Sequence, residues 1–300
     1  MKLLESSVEF IPQQGGLEGI YKQIEIAGRT CYKSEDKITE ESSKKFVDTM
    51  VRNKHHAMLE HGTVYLTVEH FELDTAAEVE VFQGILYKYK LNPYSKVQVF
   101  YKGKNAKAYI TTNYRVIVEN GWFDDMQYLT APTEYHERRY TLKFLTDRGV
   151  SHELVRQRKF SFAQESQRYC NYSKDKFGGT ITYIIPSWFN KANKHQQDAF
   201  MQTLKADADC YIALLGKWDE RIPDKRFKTG FKENPLTPQE ARAILPNATK
   251  TEIVVTGFKD DWKHFFDLRY MEVTGKAHPD MKDVAGKALS VFNQQGIVFY

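Results

Sequence analysis

The first periodic pattern along the chain lies in EESSKKFVDTMVRN. Phe46, Val47, Met50 and Val51 fall on one helical face there, with Thr39 or Ser42 placed to cap it. TVYLTVE then alternates Val64, Leu66 and Val68 against Tyr65 and Thr67, the period of a strand. KVQVFYKGKNAKAYITTNYRVIVENG reads as two strands joined through Gly103 to Asn105, and RRYTLKFLT as another, with Tyr140, Leu142 and Phe144 to one side. After Asp147-Arg148-Gly149, Ser151 is placed to cap a short helix, HELVRQR. From about residue 190 the spacing turns helical, with Phe200, Leu204, Tyr211, Leu215 and Trp218 in one stripe. Thr237-Pro238-Gln239-Glu240 is a capping box whose helix must stop near Pro246. Asp261 opens WKHFFDLRYME, and His278-Pro279-Asp280 opens a last helix with Met281, Val284, Ala288 and Phe292 inward. Strands early and helices late predict an α+β fold, a mixed or antiparallel sheet with packed helices, rather than a doubly wound one. No repeat or linker divides residues 1–300, so one domain is expected.

Composition narrows the function classes. The chain has 300 residues, 41% apolar and 27% charged, as in ordinary globular proteins, but 14% are aromatic. A net charge of +4 without a basic run argues against a nucleic-acid coat or membrane-surface binder, while leaving small anionic substrates open. Cys31, Cys170 and Cys210 are odd in number and widely spaced, so neither a disulfide framework nor a zinc site is expected. MKLLESSVEF lacks a signal-peptide core and no run approaches the ~20 apolar residues of a membrane span, which predicts a cytoplasmic protein.

The densest chemistry lies in RQRKFSFAQESQRY, residues 156–169. On a helix, Glu153, Arg156 and Gln157 would share a face, and Arg158 would point elsewhere. On a following strand, Gln164, Ser166 and Arg168 would line one side, with Ala163, Glu165 and Gln167 opposite. An amide, a hydroxyl and a guanidinium converging on one spot suit a phosphorylated ligand with carbonyl and imino groups. A solvated polar strand with surface ion pairs is the plain alternative.

This stretch resembles the signature R-H-R-x-x-S-x-N-E-x-S-x-R-Y of the flavin-dependent thymidylate synthases (the ThyX family). Arg156, Arg158, Ser161, Ser166, Arg168 and Tyr169 match; Gln157, Ala163 and Gln164 depart, and Gln157 replaces a histidine that lies against the flavin in relatives. HHAMLEHGTVYL resembles the H-x-S/T-x-x-E-H block through His55, Glu60 and His61, with Ala57 lacking the family's hydroxyl. That alanine also stands where an H-x-x-E-H zinc helix needs histidine, so no metal is expected. AGRTCY (Ala27 to Tyr32), RAILP (Arg242 to Pro246), TGFKDDWKHFFDLR and KAHP (Lys276 to Pro279) resemble further family blocks, in family order from about residue 20 to 290. The stretch at about 70–145 is larger than in compact members.

The resemblance implies a single ThyX-like domain that converts dUMP to dTMP, with methylenetetrahydrofolate as carbon donor and NADPH as hydride source through FAD. It implies Arg269 as catalytic, and Glu153, Arg156, Gln164, Glu165, Ser166, Arg168, Arg242 and Arg269 for dUMP. For FAD it implies His55, Ala57, Arg156, Gln157, Arg158, Gln164, Phe258, Asp260 and His264, in a homotetramer with sites between subunits. Arg269 shares a helical face with Trp262, Phe265 and Phe266; a cation there needs a buried acceptor, unless it only caps its helix. No G-x-G-x-x-G follows a strand, so phosphates must be held by side chains. Cys170 has no activating base beside it. Two other readings stay open: a related pyrimidine-nucleotide hydroxymethylase or inactive homologue, and a single-stranded nucleic-acid binder using interleaved arginines and aromatics.

Overall fold

The computed structural model describes residues 1–70, 75–216 and 236–300. Among these residues the strands are β1 (Lys2–Leu4), β2 (Ser7–Phe10), β3 (Thr63–His70), β4 (Lys96–Lys102), β5 (Asn105–Asn113), β6 (Arg139–Asp147), β7 (Ser161–Gln164), β8 (Thr182–Ile184) and β9 (Lys250–Phe258). The helices are α1 (Gly16–Tyr32), α2 (Ser42–Arg52), α3 (Ala76–Leu91), α4 (Tyr114–Asn120), α5 (Arg148–Leu154), α6 (Lys194–Leu214), α7 (Pro238–Ala241), α8 (Lys259–Arg269) and α9 (Pro279–Gln294). An antiparallel four-stranded sheet has the order β2-β6-β9-β7, a second antiparallel sheet the order β3-β5-β4, and β1 pairs with β8 in parallel. The fold is α+β, as the pattern predicts.

The four-stranded sheet positions the chemistry. Its centre, β9, is buried almost throughout, and its β-branched Thr251, Ile253, Val254, Val255 and Thr256 suit a pleat packed on both faces. One face presents Leu142, Phe144, Ile253 and Val255 to α8 and α9, where Trp262, Phe265, Phe266 and Phe292 are fully buried. At about 2–3 kcal/mol per such side chain, this aromatic cluster anchors α8, and with it Arg269. The other face sets Val254 and Ala163 against Ala27 of α1. A separate core joins α1 to α4 with β3 and β5.

Several local expectations change. Residues 114–120 form α4 rather than the end of a strand. The Asn113 side chain accepts the Val116 N–H at 3.2 Å, and Gly121 closes the helix at φ 68°. The short helix at the signature is capped by Asp147, not Ser151; the Asp147 carboxylate accepts the Val150 N–H at 2.8 Å. That helix therefore ends at Leu154, and Arg156 and Gln157 lie in the turn beyond it rather than on a face with Glu153. Likewise β7 ends at Gln164, and residues 166–169 turn, so Arg168 is not on a strand edge with Gln164 and Ser166. The cap of α2 is Glu41, while the Ser42 hydroxyl accepts the Thr39 N–H and donates to Glu25. Helix α8 begins at Lys259, two residues before Asp261. The Thr237–Glu240 box and the Pro279 start stand where the sequence puts them. Leu204 and Tyr211 of the long stripe are buried; Trp218 lies outside the described residues. Replacing Asp147 with alanine should destabilise the protein by about 1 kcal/mol in denaturant unfolding, and an unchanged midpoint would refute the cap.

Candidate functional site

The signature runs from α5 into β7 and the turn beyond. Gln164 donates from Nε2 to Ser151 Oγ at 2.8 Å and to Thr251 Oγ1 at 3.1 Å, tying the signature strand to α5 and β9. The Ser166 N–H donates to the Cys31 carbonyl, so the end of α1 holds the signature turn, and Tyr32 packs on Tyr169 with ring centroids 5.3 Å apart. The Ser166 hydroxyl accepts the Arg168 N–H at 3.3 Å. Arg156, Arg158 and Arg168 are exposed and have no acidic partner among the described residues, although the Arg168 guanidinium lies 5.5 Å from the Tyr169 ring centroid.

Arg269 is different. It closes α8 on the face that buries Trp262, Phe265 and Phe266, and its Nη1 donates to Glu153 Oε2 at 3.0 Å. Its Nε is buried and has no partner among the described residues, which leaves a donor available there. Glu153 also lines a cleft of about 380 Å³ with Asp147, Gly149, Asn247, His278 and Asp280. Among the described residues, Arg156, Arg168 and Arg269 share no hydrogen-bond partner.

Beneath the signature lies a cluster of charges. Glu165 is fully buried; its carboxylate accepts from the Tyr172 hydroxyl at 2.8 Å and pairs with Lys250 at 2.7 Å. Glu165, Tyr172 and Lys250 together line a small cleft of about 190 Å³ with Lys33 and Lys176. Glu252 pairs with Lys33, Lys143 and Lys250 at 2.8, 2.6 and 2.7 Å. Burial alone would raise the Glu252 carboxyl, but the three ammonium groups outweigh it and hold the carboxyl well below the usual range. Lys33 reaches in from the left-handed position that ends α1, at φ 48°.

The residues implied for flavin fall into three places, one of them the signature itself with Arg156, Gln157, Arg158 and Gln164. Phe258, Asp260 and His264 stand at the β9–α8 junction, with Asp260 bound to Lys96 at 3.0 Å and His264 exposed. His55 and Ala57 are exposed before β3, and His55 borders an open cleft of about 830 Å³. Arg29, Lys37, Lys45 and Lys176 also line that cleft; Lys37 and Lys45 have no ion pair among the described residues. This donor set fits an anionic, ring-bearing ligand of flavin-nucleotide size. Gln157 is half-buried in the turn after α5.

The structure adds one residue the sequence analysis does not select. Arg148, at the start of α5, is half-buried with no side-chain partner among the described residues, and it lies within electrostatic reach of Arg242, Glu165 and Tyr172. Burial lowers its pKa, with Arg242 adding to the effect and Tyr172 and Glu165 opposing it. A half-buried guanidinium with no hydrogen-bonded partner has donors to offer an anion. In sequence, Arg148 looks like a turn residue; only the docking of residues 242–249 on α5, through the Arg148 N–H to the Asn247 and Thr249 carbonyls, reveals it.

Fold and site together define an α+β protein that presents unpaired guanidinium groups, amides and hydroxyls around a buried carboxylate–lysine cluster. Residues 17–118 and 130–295 match the family described as Thymidylate synthase complementing protein (Thy1), and the chain belongs to that family. Similar curated proteins include flavin-dependent thymidylate synthases of Corynebacterium efficiens (32% identical over 148 residues, 49% of this chain and 54% of that protein) and Geobacter sulfurreducens (32% over 154 residues, 50% and 57%). A third, from Mycobacterium avium, is 34% identical over 129 residues, 42% of this chain and 46% of that protein. The aligned part thus spans about half the length of the curated relatives. Among solved structures, the UMP/dUMP methylase PolB of Streptomyces cacaoi, bound with 5-Br dUMP, aligns over 98% of this chain and 93% of its own, with 14% identity and a TM-score of 0.42, too low to bear on the site. Among the described residues no helix is long and apolar enough to cross a membrane, and no three His, Cys, Asp or Glu side chains could hold a metal ion together.

Proposed function

We propose that this chain methylates dUMP to dTMP, taking the carbon from methylenetetrahydrofolate and reducing equivalents from NADPH. The observation that carries this reading is Arg269, a half-buried guanidinium oriented by Glu153 at 3.0 Å with one buried N–H left over. A cation so placed beside a pyrimidine stabilises negative charge developing at N3 and O2, which makes C5 electron-rich. Electrostatic preorganisation of this kind is usually the largest catalytic contribution. Glu153 holds the guanidinium plane, so the group need not reorganise as charge develops.

Phosphate binding falls to Arg168 and the Ser166 hydroxyl on the signature turn, and to Arg242 with Arg148. Gln164, held by Ser151 and Thr251, is the amide that reads the base. Glu165 contributes from below, by fixing Lys250 under the turn. FAD, held by Arg156, Gln157 and Arg158 with His55, Ala57, Phe258, Asp260 and His264, supplies the hydride chemistry when bound. The exposure of Arg156, Arg158 and Arg168 supports a homotetramer in which one subunit's arginines complete another's pocket.

The test is the visible spectrum of the purified protein with added FAD, bleaching on NADPH, and the mass of the nucleotide product. A yellow protein that bleaches and yields dTMP supports the proposal. A hydroxymethyl product would redirect it to the hydroxymethylase reading. A colourless protein that ignores FAD and dUMP would end it.

A further inference from the structure

Arg139, which none of the motifs includes, begins β6 and is 8% exposed. Its Nη1 donates to the Glu60 carbonyl at 3.1 Å and to Thr63 Oγ1 at 3.3 Å, its Nη2 reaches Ser161 Oγ at 3.4 Å, and its guanidinium lies 5.5 Å from the Phe258 ring centroid. One side chain thus touches three separate blocks: the His55–His61 turn, the signature strand and the end of β9. No carboxylate pairs with it among the described residues, and its Nε is buried without a partner. Burial lowers its pKa to about 10, so it keeps its charge at neutral pH. The neighbouring imidazole cannot share that charge, because burial and Arg139 itself lower His61 to about 3. Lys96 lies 4.7 Å from the same Phe258 ring centroid. Both cations come from residues 70–145, and both stand beside Phe258 and the turn where flavin contacts are expected.

A buried cation with no carboxylate in direct contact, only Glu60 and Asp261 acting at longer range, is unfavourable by itself and gains when an anion arrives. We propose that Arg139 is a positioning residue for the flavin site: it clamps the His55–His61 turn to the signature strand and holds a fixed positive charge beside Phe258. The inference rests on the proposed flavin-dependent activity and assigns part of residues 70–145 to that site.

The test measures FAD dissociation constants by fluorescence quenching, and the midpoint potential of bound FAD, in wild type, Arg139→Gln, Arg139→Lys and, as control, Arg138→Gln. Arg139→Gln should weaken FAD binding about tenfold or more and shift the potential to more negative values, since the reduced, anionic ring loses a nearby charge. Arg139→Lys should weaken binding, because the forked bonds are lost, while retaining most of the potential. Arg138→Gln should change neither. If Arg139→Gln fails to fold, Arg139→Lys decides: unchanged FAD affinity overturns the clamp, and a wild-type-like potential with weakened binding supports it. Folded Arg139→Gln with wild-type affinity and potential overturns the inference. Failure of the wild type to bind FAD would instead sink the activity on which it rests.

Discussion

Arg269→Ala is expected to lower dTMP formation by about a hundredfold or more while leaving the bound-flavin spectrum in place. Arg269 lies at the end of α8, and its aromatic neighbours Trp262, Phe265 and Phe266 keep their packing when it is shortened. The loss should therefore fall on turnover and not on folding. Glu153→Gln tests the same geometry from the other side. It keeps the size of the partner but removes its charge, and should lower kcat by less than Arg269→Ala does. Steady-state kinetics with dUMP, read beside the visible spectrum, separate these effects. Unchanged turnover in Arg269→Ala would remove the catalytic assignment.

Glu252→Gln should be the most destabilising single change near the site. The Glu252 side chain is 9% exposed and joins three lysines, so its neutralisation leaves Lys33 and Lys143 with Glu35 alone and Lys250 with Glu165 alone, around an amide. Removing one member of a buried ion cluster costs about 3–5 kcal/mol. That is a large part of the roughly 5–15 kcal/mol by which a domain is stable. The folded pKa of Glu252 is depressed below the ordinary 4.5, so its contribution is fully present above that pH. It is lost as the pH falls through the folded value. Wild type should therefore lose stability in acid more steeply than Glu252→Gln. Denaturant midpoints from neutral pH down to about pH 3 give both curves. Parallel curves, or a loss of less than about 1 kcal/mol at neutral pH, would show that the lysines do not depend on Glu252.

Much of this was legible in the sequence because it is local. The alternation in TVYLTVE, the aromatic face of α8, the capping box at Thr237 and the proline start of α9 each depend on residues within a turn or two of one another. The family was legible for another reason: the types and spacing of the signature residues match its pattern. The cap at Asp147 was missed because a turn aspartate and a nearby serine compete for one role. The winner depends on where β6 ends, and β9 sets that through its pairing of Asp147 with Lys250. Strand β9 itself was missed because TEIVVT shows little alternation when both faces are buried.

The amino-acid order by itself determined the α+β class, the family pattern and the identity of the arginines, because helix and strand periodicity and motif spacing are short-range properties. Only the tertiary structure decided that Glu165 pairs with Lys250, that Arg148 is tied to Asn247 and Thr249, and that Arg139 links three distant blocks. Burial and charge pairing depend on which segments meet across the sheet, and residues as far apart as Lys33 and Glu252 acquire their electrostatic roles only when the folded chain excludes water between them.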